Sequence, residues 1–191
     1  MTDPRKPSRP SPSHTAGAGI ETPFISFFAA ELAQRGFRVV RFEFPYMASY
    51  RKTGKKKPPD REPVLRETWL MVIQELGHEG LVIGGKSMGG RIASLIADEA
   101  GVVGLVCLGY PFHPVGKPDR LRVEHLRTIK TLTLILQGER DPFGSRDEVG
   151  KYRLSPAIRV HWIENGEHSF KPRKSSGRTE VANWNGWCRG G

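Results

Sequence analysis

Three residues in this chain have the types and the chain order for nucleophilic acyl chemistry: Ser87 in GGKSMGG, Asp141 in LQGERDPFG and His168 in GEHSF. A serine hydroxyl is a weak nucleophile until a neighbouring base takes its proton, and a histidine serves best when a carboxylate orients its ring. Ser87 can be parsed in two ways. Counted back from it, GLVIGGKS fits G-x-x-x-x-G-K-[ST], a phosphate-cradling loop with Gly80, Gly85, Lys86 and Ser87 in place and the serine as a magnesium ligand. Counted around it, GKSMG fits G-x-S-x-G, a sharp turn that presents the serine as a covalent nucleophile.

The surrounding elements separate the two readings. A phosphate loop needs a flexible polar turn between its glycines and must follow a strand. Here the gap is Leu81, Val82, Ile83 and Gly84, which is strand material, and the residues before Gly80 read as a helix ending at Leu76. The nucleophile turn needs a strand, the serine at the apex and a helix at once. LVIGG, Lys86 and Ser87, and MGGRIASLI supply that order. Gly85 and Gly89 are expected to relieve crowding at the strand-to-helix crossing, with Gly90 easing the same packing. The pattern then asks for an acid past a later strand and a histidine past the strand after that. TLTLILQG leads into Asp141, and AIRVHWIE leads into His168, while Glu139 and Asp147 are fallback acids. Met88, after the nucleophile, is expected to give one oxyanion N–H. HTAGAG at residues 14–19 is the candidate for the second, with Ala16 as the donor and Thr15 as the alternative.

Periodicity fills in the rest. PFISFFAAELAQRG places Phe24, Phe27, Phe28 and Leu32 on one helical face, with Thr22 as N-cap, Pro23 at the first position and Gly36 as a stop. FRVVRFEF at 37–44 reads as a strand, followed by a basic loop. EPVLRETWLMVIQEL reads as a helix with Val64, Leu65, Trp69, Val72, Ile73 and Leu76 along its stripe. VVGLVCLGY is a further apolar strand, and a short helix is expected around Val123 to Ile129. Apolar strands alternating with helices imply a mostly parallel sheet covered on both faces. Tyr46, Met47, Tyr110 and Phe112 follow strand ends and are candidate substrate-binding residues. His113 could line the same pocket, His161 reads as half-buried structure, and His78 and His125 read as solvated.

The 191 residues, 37% hydrophobic, suit one domain. Residues 1–13 are read as a disordered, basic Pro/Ser-rich tail and 14–191 as the domain. The net charge of +10, from 30 basic against 20 acidic residues, raises the question of an anionic partner. Much of the excess sits in RKPSRP, RKTGKKKPPDR and KPRKSSGR, which lack the interleaved aromatics of a nucleic-acid surface, so no nucleic acid is expected. Lys86 and the Arg51–Arg61 loop are instead features that could favour an anionic substrate. Cys107 and Cys188 make neither a disulfide framework nor a metal-site spacing, so neither metal nor cofactor is expected. The first twenty residues lack the apolar core of a signal peptide and no run approaches a membrane span, so a cytoplasmic protein is expected.

HTAGAGIETPF, FRVVRFEFPYMA, GGKSMGGRIAS, LGYPFHP, LQGERDPFG and GEHSFKPRKSSGR, in that order, resemble the dienelactone-hydrolase-like α/β-hydrolases. Among these, the motifs resemble the group that includes the hydrolase-like domains of non-specific-lethal complex subunit 3 and testis-expressed protein 30. The resemblance, from about His14 to about Arg178, implies an α/β-hydrolase fold and a Ser87–His168–Asp141 triad and little about substrate; the chemistry of such a triad leads one to expect a carboxylesterase-like serine hydrolase acting on an ester or related small acyl substrate. Two departures stand out. RKPSRPSPS occupies the place of an apolar strand that usually runs into the glycine loop, and Thr15 replaces that loop's first glycine. The helix after the histidine loop is curtailed to TEVANWNGWCRGG. An N-terminal strand and part of the C-terminal helix are therefore expected to be lacking. A non-catalytic interaction module on the same fold is the competing class, and a nucleotide binder is the remote one.

Overall fold

A computed structural model describes residues 19–188. The tail assigned to 1–13 and the loop carrying Thr15 and Ala16 lie outside the described residues. Among those described, the strands Val82–Lys86 (β1), Gly104–Leu108 (β2), Thr133–Gly138 (β3) and Ile158–Ile163 (β4) form a parallel sheet in the order β1-β2-β3-β4. The register pairs Ile83 with Leu105, Cys107 with Ile135, and Leu136 with His161. Because every strand runs the same way, the three loops that leave β1, β3 and β4 emerge at one edge, the usual place for a site in such sheets.

Alternation along the strands divides the core in two. Leu105, Cys107 and Ile135 face a cluster with Trp69 and Ile73 of the helix Glu62–Leu76 (α3) and Ile92 and Ile96 of the helix Met88–Ile96 (α4). Leu108 and Leu136 face the opposite cluster, with Phe24 and Phe28 of the helix Pro23–Gln34 (α1) and Trp184 of the helix Glu180–Cys188 (α6). Thr22 caps α1 by accepting from the Ile25 N–H, as the sequence leads one to expect. Both faces of the sheet are therefore covered.

Two expectations are corrected. Residues 37–44 join no ladder, although Phe44 is buried and the Phe42 ring sits 4.6 Å from that of Trp69. A strand is a property of a pair of backbones, and β1 is an edge strand of the sheet among the described residues. Phe42 and Phe44 pack into the core from a segment with no ladder partner, while Phe37 and Val40 stay exposed. The stretch expected to begin as a basic loop instead opens with a helix, Pro45–Thr53 (α2), with Pro at its first position and Gly54 ending it at φ 68. That Pro-first, Gly-last pattern was readable in the sequence. The short helix expected near Val123–Ile129 is a single 3-10 turn, His125–Arg127, and a further short helix, Arg146–Val149 (α5), follows the Asp141 loop.

Candidate active site

Ser87 sits between β1 and α4 with φ 51 and ψ −119, a backbone conformation that costs a non-glycine residue roughly 1–3 kcal/mol. Two neighbours hold it there. Its N–H donates to the Leu108 carbonyl at 2.9 Å, tying the turn to the end of β2, and its carbonyl accepts from the Arg91 N–H inside α4. The crossing is tight at Gly85 and Gly90. A Cβ on Gly90 would lie 2.5 Å from the Gly85 carbonyl oxygen, and one on Gly85 would lie 2.7 Å from the Gly90 nitrogen. A Cβ on Gly89 would meet nothing within 4 Å, so the crowding expected at Gly89 falls on Gly90 instead.

The three residues far apart in sequence meet here. His168 Nε2 is 2.9 Å from Ser87 Oγ, and His168 Nδ1 is 2.8 Å from Asp141 Oδ2. A carboxylate can only accept, so the imidazole proton sits on Nδ1 and Ser87 donates to Nε2. Asp141 is wholly buried and His168 nearly so. The Phe143 ring centroid is 4.4 Å from that of the imidazole.

Asp141 is fixed by more than the histidine. Its Oδ1 accepts from the Phe143 N–H at 2.9 Å, and its Oδ2 also accepts from Gln137 Nε2 at 3.0 Å. Gln137, fully buried at the end of β3, escaped the sequence reading. Its amide also donates towards the Tyr110 and Gly144 carbonyls, and its Oε1 accepts from the Tyr110 N–H at 2.7 Å. One side chain thus binds the exit of β2 to the acid loop. A lone amide closing an otherwise apolar strand, four residues before the acid, was the available signal. Gln137→Leu is expected to destabilise the protein by about 1–3 kcal/mol through the unpaired Tyr110 N–H and Asp141 oxygen. Denaturant unfolding checks this.

The fallback acids are engaged elsewhere. Glu139 accepts from the Asn165 N–H at 3.0 Å and from Arg146 Nη1 at 2.7 Å, and the Asn165 bond is the main cause holding its carboxyl below the usual range. Asp147 is exposed in α5. The His168 loop is secured by α6, the helix expected to be curtailed. Asn183 Nδ2 donates to the Phe170 and Glu164 carbonyls, and Trp184 Nε1 donates to the Ser169 carbonyl.

Met88 opens α4, so its N–H is among the first-turn groups that have no acceptor within the helix. The partner donor Ala16 lies outside the described residues. Of the four candidate substrate-binding residues, Tyr110 and Phe112 are wholly buried core residues, which corrects their placement on a pocket wall. The Tyr110 hydroxyl donates to the Arg122 carbonyl at 3.0 Å. Tyr46 is also buried, stacked beside Phe44, and Met47 is half-buried against the same cluster. These side chains turned inward because their apolar bodies gain more from the core than from solvent. Lys86, whose role the sequence leaves open, has its Nζ donating to the His168 carbonyl at 3.0 Å and 5.0 Å from the Phe24 ring centre. Both partners belong to the fold itself, the histidine loop and α1.

A second Ser–His contact exists and differs in kind. Ser94 Oγ is 2.8 Å from His125 Nε2, but Ser94 is buried inside α4 and donates to the Arg91 carbonyl at 2.7 Å. His125, expected to be solvated, is half-buried against Ser94 and the Tyr110 hydroxyl at 3.4 Å. Burial first, and Arg91 second, push its pKa down to about 4. A histidine ordinarily titrates near 6.5, so the unfolded chain binds more protons between those values. Stability should fall as pH drops from about 6.5 towards 4, and His125→Gln should flatten that fall in thermal unfolding measured against pH.

The fold and this arrangement of side chains define a member of a known class. The family model described as the alpha/beta hydrolase domain matches residues 12–190, so the chain belongs to that family. Among solved structures, it is similar to an alpha-beta serine hydrolase homologue from Coxiella burnetii, at 20% identity, covering 80% of this chain and 71% of that one, with a TM-score of 0.63. It is also similar to an a/b serine hydrolase without lid from Xanthomonas campestris, at 16% identity, 91% and 75% coverage and a TM-score of 0.63. An esterase domain from Rhodothermus marinus aligns at 12% identity over 85% of this chain and 79% of that one, with a TM-score of 0.57. At these identities the likeness is one of fold. Among the described residues no helix is long and apolar enough to cross a membrane, and no cluster of His, Cys, Asp and Glu could hold a metal ion.

Proposed function

We propose that the protein is a serine hydrolase of small acyl substrates, with Ser87 as nucleophile. The observation that carries this reading is the unbroken hydrogen-bonded run from Asp141 through His168 to a Ser87 held at positive φ. His168 Nε2 takes the Ser87 proton as Oγ adds to the carbonyl carbon, and Asp141 stabilises the imidazolium. The oxyanion is received by the Met88 N–H and, from the loop at 14–19, by that of Ala16. Collapse of the adduct breaks the bond to the leaving group, which takes its proton from His168. Water then gives a proton to the same nitrogen, attacks the acyl-enzyme and releases the carboxylic acid, restoring Ser87.

The order of the motifs around these residues supports the dienelactone-hydrolase-like group and an ester or lactone as the substrate. A fluorophosphonate probe tests the reading: covalent labelling of the folded chain at Ser87 supports it. Absence of labelling in protein shown to be folded would instead favour the non-catalytic module. Turnover of a panel of short-chain esters, lactones and peptides then separates the acyl classes.

A further inference from the structure

Lys86 precedes the nucleophile, yet its side chain runs to the other side of the site. The Nζ donates to the backbone carbonyl of His168 at 3.0 Å, a contact across 82 positions of sequence. The Phe24 ring of α1 lies 5.0 Å away as a cation–π partner. That ring also packs 5.3 Å from Phe170, two residues beyond His168, and 5.5 Å from Trp184 of α6. Lys86 therefore connects the end of β1, α1 and the histidine loop at one point.

The loop it grips is conformationally unusual. Asn165 and Phe170 flank His168 at φ 58 and φ 67, conformations that non-glycine residues hold only when their surroundings enforce them. Other restraint on it comes from α6, through Asn183 and Trp184, and from the acid loop, where the Arg140 N–H donates to the Gly166 carbonyl at 2.9 Å and the Asn165 N–H donates to Glu139. We propose that Lys86 is a positioning residue for His168: its ammonium, held between the Phe24 ring and the His168 carbonyl, fixes the loop so that the imidazole stays between Asp141 and Ser87. This rests on the serine hydrolase reading and adds a residue to it.

Burial pushes the Lys86 pKa down to about 8, opposed by the negative charges of Asp141, from the loop after β3, and Glu167, from the loop after β4. The group is therefore charged below pH 8 and loses charge as pH rises through that value, weakening a charge-assisted bond. A positioning role then predicts an alkaline limb in the activity of the folded enzyme.

The test compares wild type, Lys86→Arg and Lys86→Met across pH 6 to 10, using the rate of fluorophosphonate labelling and the turnover of p-nitrophenyl acetate. Lys86→Met is expected to lower kcat roughly ten- to a hundredfold with KM within about twofold, since a small misplacement of the base costs rate rather than binding. It is also expected to abolish the alkaline limb, whereas Lys86→Arg, charged throughout, should retain activity and move that limb upward. A normalised pH profile unchanged in Lys86→Met, or equal kcat losses in both variants, overturns the proposal even where wild type is labelled. If wild type itself is not labelled, the hydrolase reading fails, and a proton spectrum still decides what Lys86 does. Loss or broadening of the downfield His168 Nδ1–H signal in Lys86→Met but not in Lys86→Arg supports the positioning role, and an unaltered signal overturns it.

Discussion

Ser87→Ala is expected to lower ester turnover by roughly 10⁴-fold or more while leaving the fold intact, and to remove all fluorophosphonate labelling. The reasoning is geometric. Ser87 Oγ is the atom 2.9 Å from the base, so deleting it leaves His168 with nothing to deprotonate except water. The fold should tolerate the change, because the hydrogen bonds that hold the turn are made by the Ser87 backbone rather than its hydroxyl. His168→Ala should cost a similar factor, and the double variant little more, since groups that act as one unit are not additive. Asp141→Asn should also fall by roughly 10⁴, because an amide in that place no longer fixes the proton on Nδ1. Single-turnover and steady-state kinetics on a common ester check all four, and an active Ser87→Ala would sink the mechanism. Ser94→Ala, which touches the other Ser–His contact, should leave the chemistry unchanged.

The second large effect concerns folding, and it separates two glycines that are neighbours in the sequence. Gly90→Ala is expected to destabilise the protein by about 3 kcal/mol, near the upper end of overpacking costs. The new methyl would sit 2.5 Å from the Gly85 carbonyl oxygen and 3.3 Å from Cys107 Cβ and Sγ, and the backbone oxygen cannot rotate away. Gly89→Ala meets nothing within 4 Å and lies inside α4, where alanine is favoured over glycine by up to about 1 kcal/mol. A chain of this size loses roughly 2–4 °C of melting temperature per kcal/mol. Gly90→Ala should therefore melt roughly 6–12 °C lower and Gly89→Ala no lower than wild type, as calorimetry would show. Equal losses would mean that the crossing relaxes, contrary to the packing described.

The G-x-S-x-G pattern alone points to Gly89, because Gly89 is the glycine it names. A motif records which residues recur around a turn; which added methyl would collide with which carbonyl depends on how closely the helix crosses the strand. The same distinction runs through the rest of the molecule. Thr22, Pro23 and the apolar spacing located α1 because a cap and a helical face are written within a few residues of each other. Leu65, Trp69 and Ile73 likewise marked the buried stripe of α3. FRVVRFEF carries an equally strong local signal and still forms no strand, since a ladder needs a second backbone that the segment itself does not contain.

Within the site, the sequence by itself determined the candidate chemistry: a serine on a strand-to-helix turn, an acid past a later strand and a histidine past the next. Parallel strand order makes such residues share one sheet edge, so chain order was enough to nominate Ser87, Asp141 and His168. Only the tertiary structure decided what surrounds them. It turned Lys86 towards the His168 carbonyl, sank Tyr110 and Phe112 into the core, set Gln137 against Asp141 and laid Asn183 and Trp184 over the histidine loop. Each of those contacts joins residues from different elements, and their partners are chosen by burial and by the need to satisfy buried polar groups. Sequence periodicity reports which face of an element is apolar, and carries no record of what that face will meet.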